Sequence, residues 1–228
     1  MKNTIQDKTK LVNSVFSEVY KKYDLMNDIM SFGIHRVWKD KFIDWMRPSQ
    51  SSTLIDVASG TGDIAKKFSL RVNNLSEITC VEPNNEMFQK GKNNLKTFNN
   101  IKWIKSQAET LPVKDNLYDF YSISYGIRNV TDINKTLREA YRVIKPGGRF
   151  MCLEFSKIDN ELINFLYKQY AKTIPIIGKY IVGSSEPYEY LVKSINSFYT
   201  QEQLSELIIK NGFTNVEYRN LSSGISAI

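Results

Sequence analysis

The sequence predicts an α/β fold, a mostly parallel sheet of seven strands covered by helices on both faces. Two observations predict it. Between residues 53 and 155, short apolar runs alternate with segments of helical periodicity. A glycine-rich turn joins the first of those runs to the first of those helices. Strands of a parallel sheet are buried on both faces, so they read as continuous apolar runs, as these do.

The elements follow in order. The first 50 residues read as helical, with Val12, Val15, Phe16, Val19, Tyr20 and Tyr23 on one face at helical spacing. A second short helix covers 36–46, and Pro48 ends it. The stretch between them, 23–31, has no clear periodicity. Strands are expected over 53–57, 77–81, 101–105, 118–122 and 149–155, and helices over 63–70, 85–95 and 133–143, with right-handed crossovers. The rhythm breaks over 160–199, a stretch dense in aromatics and carrying Pro175, Gly178, Gly183 and Pro187. It reads as a helix followed by a cap over the site, or equally as a helix and loop covering the sheet edge. A helix over 201–211, stopped by Gly212, and a strand pair around 214–218 and 226–228 come last. One domain is expected over 1–228: an N-terminal helical cap (1–50), a cofactor-binding core (51–158), an aromatic-rich cap insertion (159–199), and the last helix and strands (200–228).

The chain has 228 residues, 42% of them hydrophobic, which suits one domain with a self-sufficient core. Cys80 and Cys152, the two cysteines, both sit in runs that read as buried strands, so neither a disulfide scaffold nor a zinc site is expected. The single histidine, His35, excludes a multi-histidine metal site. The net charge is +7, but the basic residues are interspersed with acids and form no run of five, so no nucleic-acid partner is expected. The polar opening lacks a signal-peptide pattern, and no apolar stretch reaches membrane-spanning length. A cytoplasmic protein is the expectation.

The strongest local signal is Asp56-Val57-Ala58-Ser59-Gly60-Thr61-Gly62-Asp63, at a strand-to-helix turn. Glycines allow a sharp turn and close approach of a ligand to the backbone, and make the fold Rossmann-like. Gly60, Gly62 and Ala65 also satisfy the dinucleotide pattern, and a tight turn without a ligand would look the same. Glu82 ends the second strand, where a carboxylate can take both hydroxyls of a ribose, of a dinucleotide or of an adenosyl group. A solvated surface acid is the competing role. Gln107-Ala108-Glu109-Thr110-Leu111-Pro112 follows the third strand, where an adenine edge needs a polar partner. Pro146-Gly147-Gly148 turns a helix into the fifth strand, as in class I methyltransferases, and carries no chemistry of its own.

Four stretches together resemble the ubiquinone/menaquinone biosynthesis C-methyltransferase family, the UbiE/MenG type. They are Tyr23-Asp24-Leu25-Met26-Asn27-Asp28 with Gly33-Ile34-His35-Arg36-Val37-Trp38-Lys39; Gly60-Thr61-Gly62-Asp63; Ser124-Tyr125-Gly126-Ile127-Arg128-Asn129-Val130-Thr131-Asp132; and Leu153-Glu154-Phe155-Ser156-Lys157. Tyr188-Glu189-Tyr190-Leu191 with Ser194-Ile195 fits the distal segment. Glu82 stands where the family usually has Asp, and still offers two oxygens. The resemblance implies a class I methyltransferase that uses S-adenosyl-L-methionine, releases S-adenosyl-L-homocysteine, and methylates a ring carbon of a prenylated benzoquinol or naphthoquinol. It puts cofactor contacts on the Gly60–Asp63 loop, Thr61 above all, and on Glu82, Gln107, Ala108 and Ser124, with Tyr23 near the sulfonium end. Substrate contacts are expected from Asp24, Asn27, Tyr188 and Tyr190; helix capping is the rival role for Asp24, and for Asp28 beside it, and core packing is the rival for the two tyrosines. The lipophilic substrate implies an enzyme peripheral to the inner membrane, helped by the positive charge, and either a homodimer or part of a quinone-synthesis complex.

A ring carbon becomes a good nucleophile when a ring hydroxyl, with a pKa around 10, loses its proton. A base, or a cation stabilising the phenolate, is therefore required. Arg128, at the carboxyl end of the fourth strand, is the first candidate, as a phenolate stabiliser or by orienting a water; Asn129 would hold the same network. A salt bridge to an acid such as Asp132 is the competing role. His35 is the alternative base, with a packing histidine as its rival reading. Three other functions fit parts of the pattern: a methyltransferase for RNA or another small molecule, a nicotinamide or flavin oxidoreductase, and a non-catalytic adenosylmethionine-binding subunit of a quinone-synthesis complex.

Overall fold

The computed structural model describes residues 2–20, 23–31 and 33–228. Among them, a seven-stranded sheet runs in the order β3-β2-β1-β4-β5-β7-β6. Its strands are β1 (Leu54–Val57), β2 (Ile78–Val81), β3 (Ile101–Ile104), β4 (Tyr118–Ser124), β5 (Ile144–Phe155), β6 (Asn220–Leu221) and β7 (Ser226–Ala227). The first five pair in parallel, and β7 runs antiparallel between β5 and β6. The chain builds outward from β1 to β3 and then returns to β4 on the other side of β1. That reversal opens a crevice at the carboxyl ends of β1 and β4, where ligands of open α/β sheets bind.

Helices α4 (Asp63–Arg71), α5 (Asn85–Asn94), α6 (Ile133–Val143) and α9 (Gln201–Lys210) connect the strands, and α1 (Lys2–Val19), α2 (Tyr23–Ser31) and α3 (His35–Met46) precede them. Successive residues of a strand point to opposite faces, and each face has its own core. Leu54 packs with Trp38, Phe42, Met46 and Phe68 on one side. Ile55 and Val57 pack with Tyr121, Leu137, Val143 and Ile208 on the other.

Three expectations need correction. Residues 23–31 are helical, as α2. Its inward face carries buried Asn27 and Ser31, with Ser31 Oγ bonded to the Asn27 carbonyl at 2.7 Å, so the apolar period was broken by polar residues. The cap insertion is two helices, α7 (Glu161–Val182) and α8 (Glu186–Asn196), and α7 runs through Pro175. An interior proline costs a helix about 3 kcal/mol. Tertiary packing holds this one: Ile174 is fully buried, and Gly178 lets the Tyr188 ring approach so closely that a Cβ there would sit 2.2 Å from it. Finally, the terminal hairpin pairs Asn220–Leu221 with Ser226–Ala227, and no strand covers 214–218. A groove of about 830 Å³ lies between that segment and β5, so residues 214–218 have no strand partner on that side.

Candidate active site

The first strand ends in a tight turn. Ala58, Gly60 and Gly62 all have positive φ, and the Gly62 amide bonds the Ser59 carbonyl at 2.9 Å before α4 begins. Gly62 is glycine for two reasons: its φ is +88°, and a Cβ would meet Leu95 at 2.5 Å. The turn faces the end of β2. Glu82 there accepts the Gly60 amide and the Asn84 amide, each at 2.9 Å. It is buried, not a solvated acid, and burial pushes its pKa up to about 7 against those two bonds. Asp56 is likewise pushed up to about 7 by burial, although Ser122 donates to it at 2.6 Å.

Helix α1 roofs this turn. The Asn84 side chain caps α5 by accepting the Met87 amide, and donates to the Asn13 carbonyl and to Ser17 Oγ. Lys8 reaches across to the Val130 carbonyl at 2.6 Å, and burial lowers its pKa. Beneath the helix lies a cavity of about 90 Å³. Its roof is Val12, Asn13 and Phe16; its walls include Ala58, Gly60, Glu82, Met87, Gln107, Ala108, Glu109, Ser124, Gly126 and Asn129. The Ser124 hydroxyl is buried and, among the described residues, has no hydrogen-bond partner.

Six of the residues singled out from sequence therefore line one cavity: Gly60, Glu82, Gln107, Ala108, Ser124 and Asn129. Thr61 is buried next to it, outside its walls. Asp63 is bonded to Lys39 at 2.7 Å; burial pushes its pKa up, and Lys39 outweighs that, leaving it below the usual range. The side chains of Tyr23 and Asp24 lie outside the described residues. Asn27 is buried in α2 and does not line the cavity.

His35 is also outside the cavity walls. It is buried, with Nε2 bonded to Asp28 at 2.8 Å, and burial followed by the Lys39 charge lowers its pKa. Its burial and its bond to Asp28 match the rival reading, a packed histidine. Asp28 pairs with His35 and Arg36, and among the described residues its side chain caps no helix.

Arg128 sits in a single 3-10 turn, Ile127–Asn129, just past β4. It pairs with Glu154 of β5, not with Asp132, which caps α6 instead. The same guanidinium nitrogen donates to the Tyr125 carbonyl at 2.8 Å, and the guanidinium carbon lies 5.5 Å from the centre of the Phe155 ring. Both partners are buried; burial pushes the Glu154 pKa up, and Arg128 opposes it. Among the described residues, Arg128 Nε has no partner. Asn129 joins the two regions: it lines the cavity, and its Oδ1 accepts the Tyr190 hydroxyl at 3.0 Å. Tyr188 is fully buried against α7, in the core. Sequence reasoning gave no role to Glu154 or to the α1 roof. A partner across the sheet leaves no local signal, and the Val12–Phe16 stripe looks like ordinary core packing.

The cavity suits an adenosyl ligand: a carboxylate for a ribose diol, the apolar Met87 and Ala108 beside the polar Gln107 for a base, and an orphan hydroxyl at Ser124. A model of the ubiE/COQ5 methyltransferase family matches residues 2–228. The ubiquinone/menaquinone biosynthesis C-methyltransferase UbiE of Rickettsia bellii (strain OSU 85-389) is 51% identical over 97% of this chain and 92% of its own length. The protein of the same name from Rickettsia prowazekii (strain Madrid E) is 51% identical over 96% and 90%. The chain belongs to the ubiE/COQ5 methyltransferase family. It is an S-adenosylmethionine-dependent methyltransferase with the Rossmann-like class I fold. Solved structures agree on the fold: a SAM-dependent methyltransferase of Thermotoga maritima superposes with TM-score 0.63 at 20% identity, over 94% of this chain and 96% of that one. One from Aquifex aeolicus does so at 0.60 and 16%, over 83% and 85%.

Proposed function

We propose that this member of the ubiE/COQ5 family methylates a ring carbon of a prenylated quinol, a benzoquinol, a naphthoquinol or both, in ubiquinone or menaquinone biosynthesis. The observation that carries this reading is the reach of the identity to the named quinone-pathway relatives. The similarity spans 97% of the chain, so its range takes in the Arg128–Asn129 turn and helices α7 and α8 as well as the glycine loop.

When bound, S-adenosylmethionine supplies a methyl group on a cationic sulfonium. Glu82 takes the ribose hydroxyls, Gln107 and Ala108 border the adenine, and Gly60 and Ser124 hold the rest of the donor. Ligand pockets typically measure about 300–1,000 Å³, so the roof residues Val12, Asn13 and Phe16 must move outward to admit it. Closed again, they keep water from the reacting carbon.

On the acceptor side, Glu154 offsets the charge of Arg128. Arg128 then acts as a fixed donor: Nε–H bonds the ring oxygen and steadies it as its proton leaves. Asn129, held by Tyr190, keeps the adjoining edge of the site in place. Overall, a ring C–H becomes C–CH3, the donor's S–CH3 bond breaks, and one proton passes to solvent. Peripheral membrane association belongs to the same reading, because the substrate is lipophilic. Among the described residues, no helix is long and apolar enough to cross a membrane.

The test is turnover of short-prenyl benzoquinols and naphthoquinols. Arg128→Ala should lose most of it while calorimetry shows unchanged S-adenosylmethionine affinity. Near-full turnover by that variant would remove Arg128 from the site.

A further inference from the structure

Helix α7 is seated by one face only. On that face Ile174 is fully buried, Gly178 packs against the Tyr188 ring, and the Tyr170 hydroxyl reaches the Ile29 carbonyl. The opposite face is exposed and carries an apolar cluster near each end, with exposed Gln169 and Thr173 between them. Leu162 is 67% exposed, Phe165 58%, Leu166 58%, Ile176 60% and Tyr180 88%. At 3.6 residues per turn these five side chains fall within roughly 60° of one line along the helix. Single exposed apolar residues are ordinary, but apolar clusters aligned on one face of a helix mark a contact surface.

A second observation says what covers it. Lys168, Lys172 and Lys179 are all exposed, and the same helical geometry puts them roughly 100° round from the stripe, along one flank. Glu161, at the first residue, is the only acid on the helix. An apolar face with a row of cations beside it is the pattern of a helix lying in the plane of an anionic bilayer, apolar side chains in the acyl boundary and ammonium groups at the phosphates. Tyrosine is favoured at that boundary, which suits Tyr180 at the far end.

We infer that α7 is the membrane-docking element of this enzyme, and that its exposed face binds anionic lipid. The inference rests on the prenylated-quinol reading only for its purpose. The inner face of α7 packs toward the core through Ile174 and against α8 through Gly178, and Tyr190 of α8 bonds Asn129 at the cavity wall. A bilayer against the outer face therefore brings the source of a lipid-dissolved substrate one helix away from the site.

Co-sedimentation with vesicles of phosphatidylcholine alone and of phosphatidylcholine with phosphatidylglycerol tests this, without quinol present. Wild-type protein should bind the anionic vesicles and bind the neutral ones far more weakly, with binding weakened by salt. Phe165→Ser combined with Ile176→Ser should lower the partition coefficient at least about tenfold, since each side chain loses its burial in lipid. Lys168→Glu with Lys172→Glu should abolish the preference for anionic lipid. All four side chains are exposed, so the thermal midpoint should stay put. Turnover of a short-prenyl, water-dispersed quinol should persist in both variants, which separates this inference from the assignment of substrate. No binding by the wild-type protein, or equal binding by the apolar variant, would overturn it. So would a concentration-dependent dimer that the apolar substitutions dissociate, because the stripe would then belong to a second copy of the chain.

Discussion

The guanidinium of Arg128 and the carboxylate of Glu154 form a buried ion pair across the carboxyl ends of β4 and β5. Their charges cancel, so the group that the proposed mechanism sets against the ring oxygen is a hydrogen-bond donor of fixed direction and not a free cation. Glu154→Gln uncovers the positive charge. A bare guanidinium would stabilise a phenolate more strongly, so the rise of kcat/KM with pH should move to lower pH by about one unit or more. Breaking a buried pair also costs about 3–5 kcal/mol of stability. A lower midpoint with an unmoved pH profile would leave Glu154 a structural role only.

Glu82 and Asp56 give the protein a pH dependence of its own. Burial places both near 7 in the folded state, against about 4 in an unfolded chain. The folded state thus favours the neutral acids. Their contribution is full below about pH 4 and is lost as pH rises through about 7. Cofactor binding runs the other way. The ionised Glu82 is the better acceptor for ribose hydroxyls, so S-adenosylmethionine affinity should improve as pH rises toward 8. Calorimetry at several pH values checks this, and Glu82→Gln should flatten the curve as well as weaken binding.

Lys8 fastens the α1 roof to the loop after β4. Lys8→Ala should free the roof with little loss of stability, because the helix keeps its Asn84 and Ser17 bonds. Association and dissociation of the cofactor should both quicken, dissociation by roughly fivefold or more, as expected for a lost hydrogen bond from a charged group. Stopped-flow fluorescence reads both rates.

Gly178→Ala should lower the melting midpoint, although alanine is the better helix former. The added methyl meets the Tyr188 ring at 2.2 Å, and overpacking of this kind costs about 1–3 kcal/mol. An unchanged midpoint would mean that α7 and α8 can part without penalty.

His35→Gln should leave the pH profile of turnover unchanged, since the imidazole is pinned to Asp28 and does not line the cavity beneath α1. Stability should fall through the lost buried contact. A vanished ionisation in the profile would restore His35 as the base.

The parallel core was legible because its strands are buried on both faces and so spell continuous apolar runs. The helix over Ile133–Val143 shows an apolar stripe so plain that its expected and observed bounds agree. α2 was not legible, because Asn27 and Ser31 turn polar groups inward and erase the period. Pro175 and Gly178 looked like breakers; only the position of Tyr188, ten residues further on, explains how a helix tolerates them. At the site, residues on loops that follow strands could be singled out because the glycine pattern and the strand ends point to them, and six of those singled out line one cavity. Between the two roles open to His35 the sequence could not choose, because a lone histidine carries no local sign of burial. Glu154 was passed over because the residue that gives it meaning, Arg128, lies 26 positions away.

Methyl transfer to a quinol ring is tested most directly by incubating the protein with S-adenosylmethionine carrying a labelled methyl group and a short-prenyl benzoquinol or naphthoquinol. The label should appear on a ring carbon of at least one of them, located by fragmentation mass spectrometry, and Arg128→Ala should remove most of the signal. Protein that binds S-adenosylmethionine but labels neither ring, or that labels an oxygen instead, would contradict the assignment.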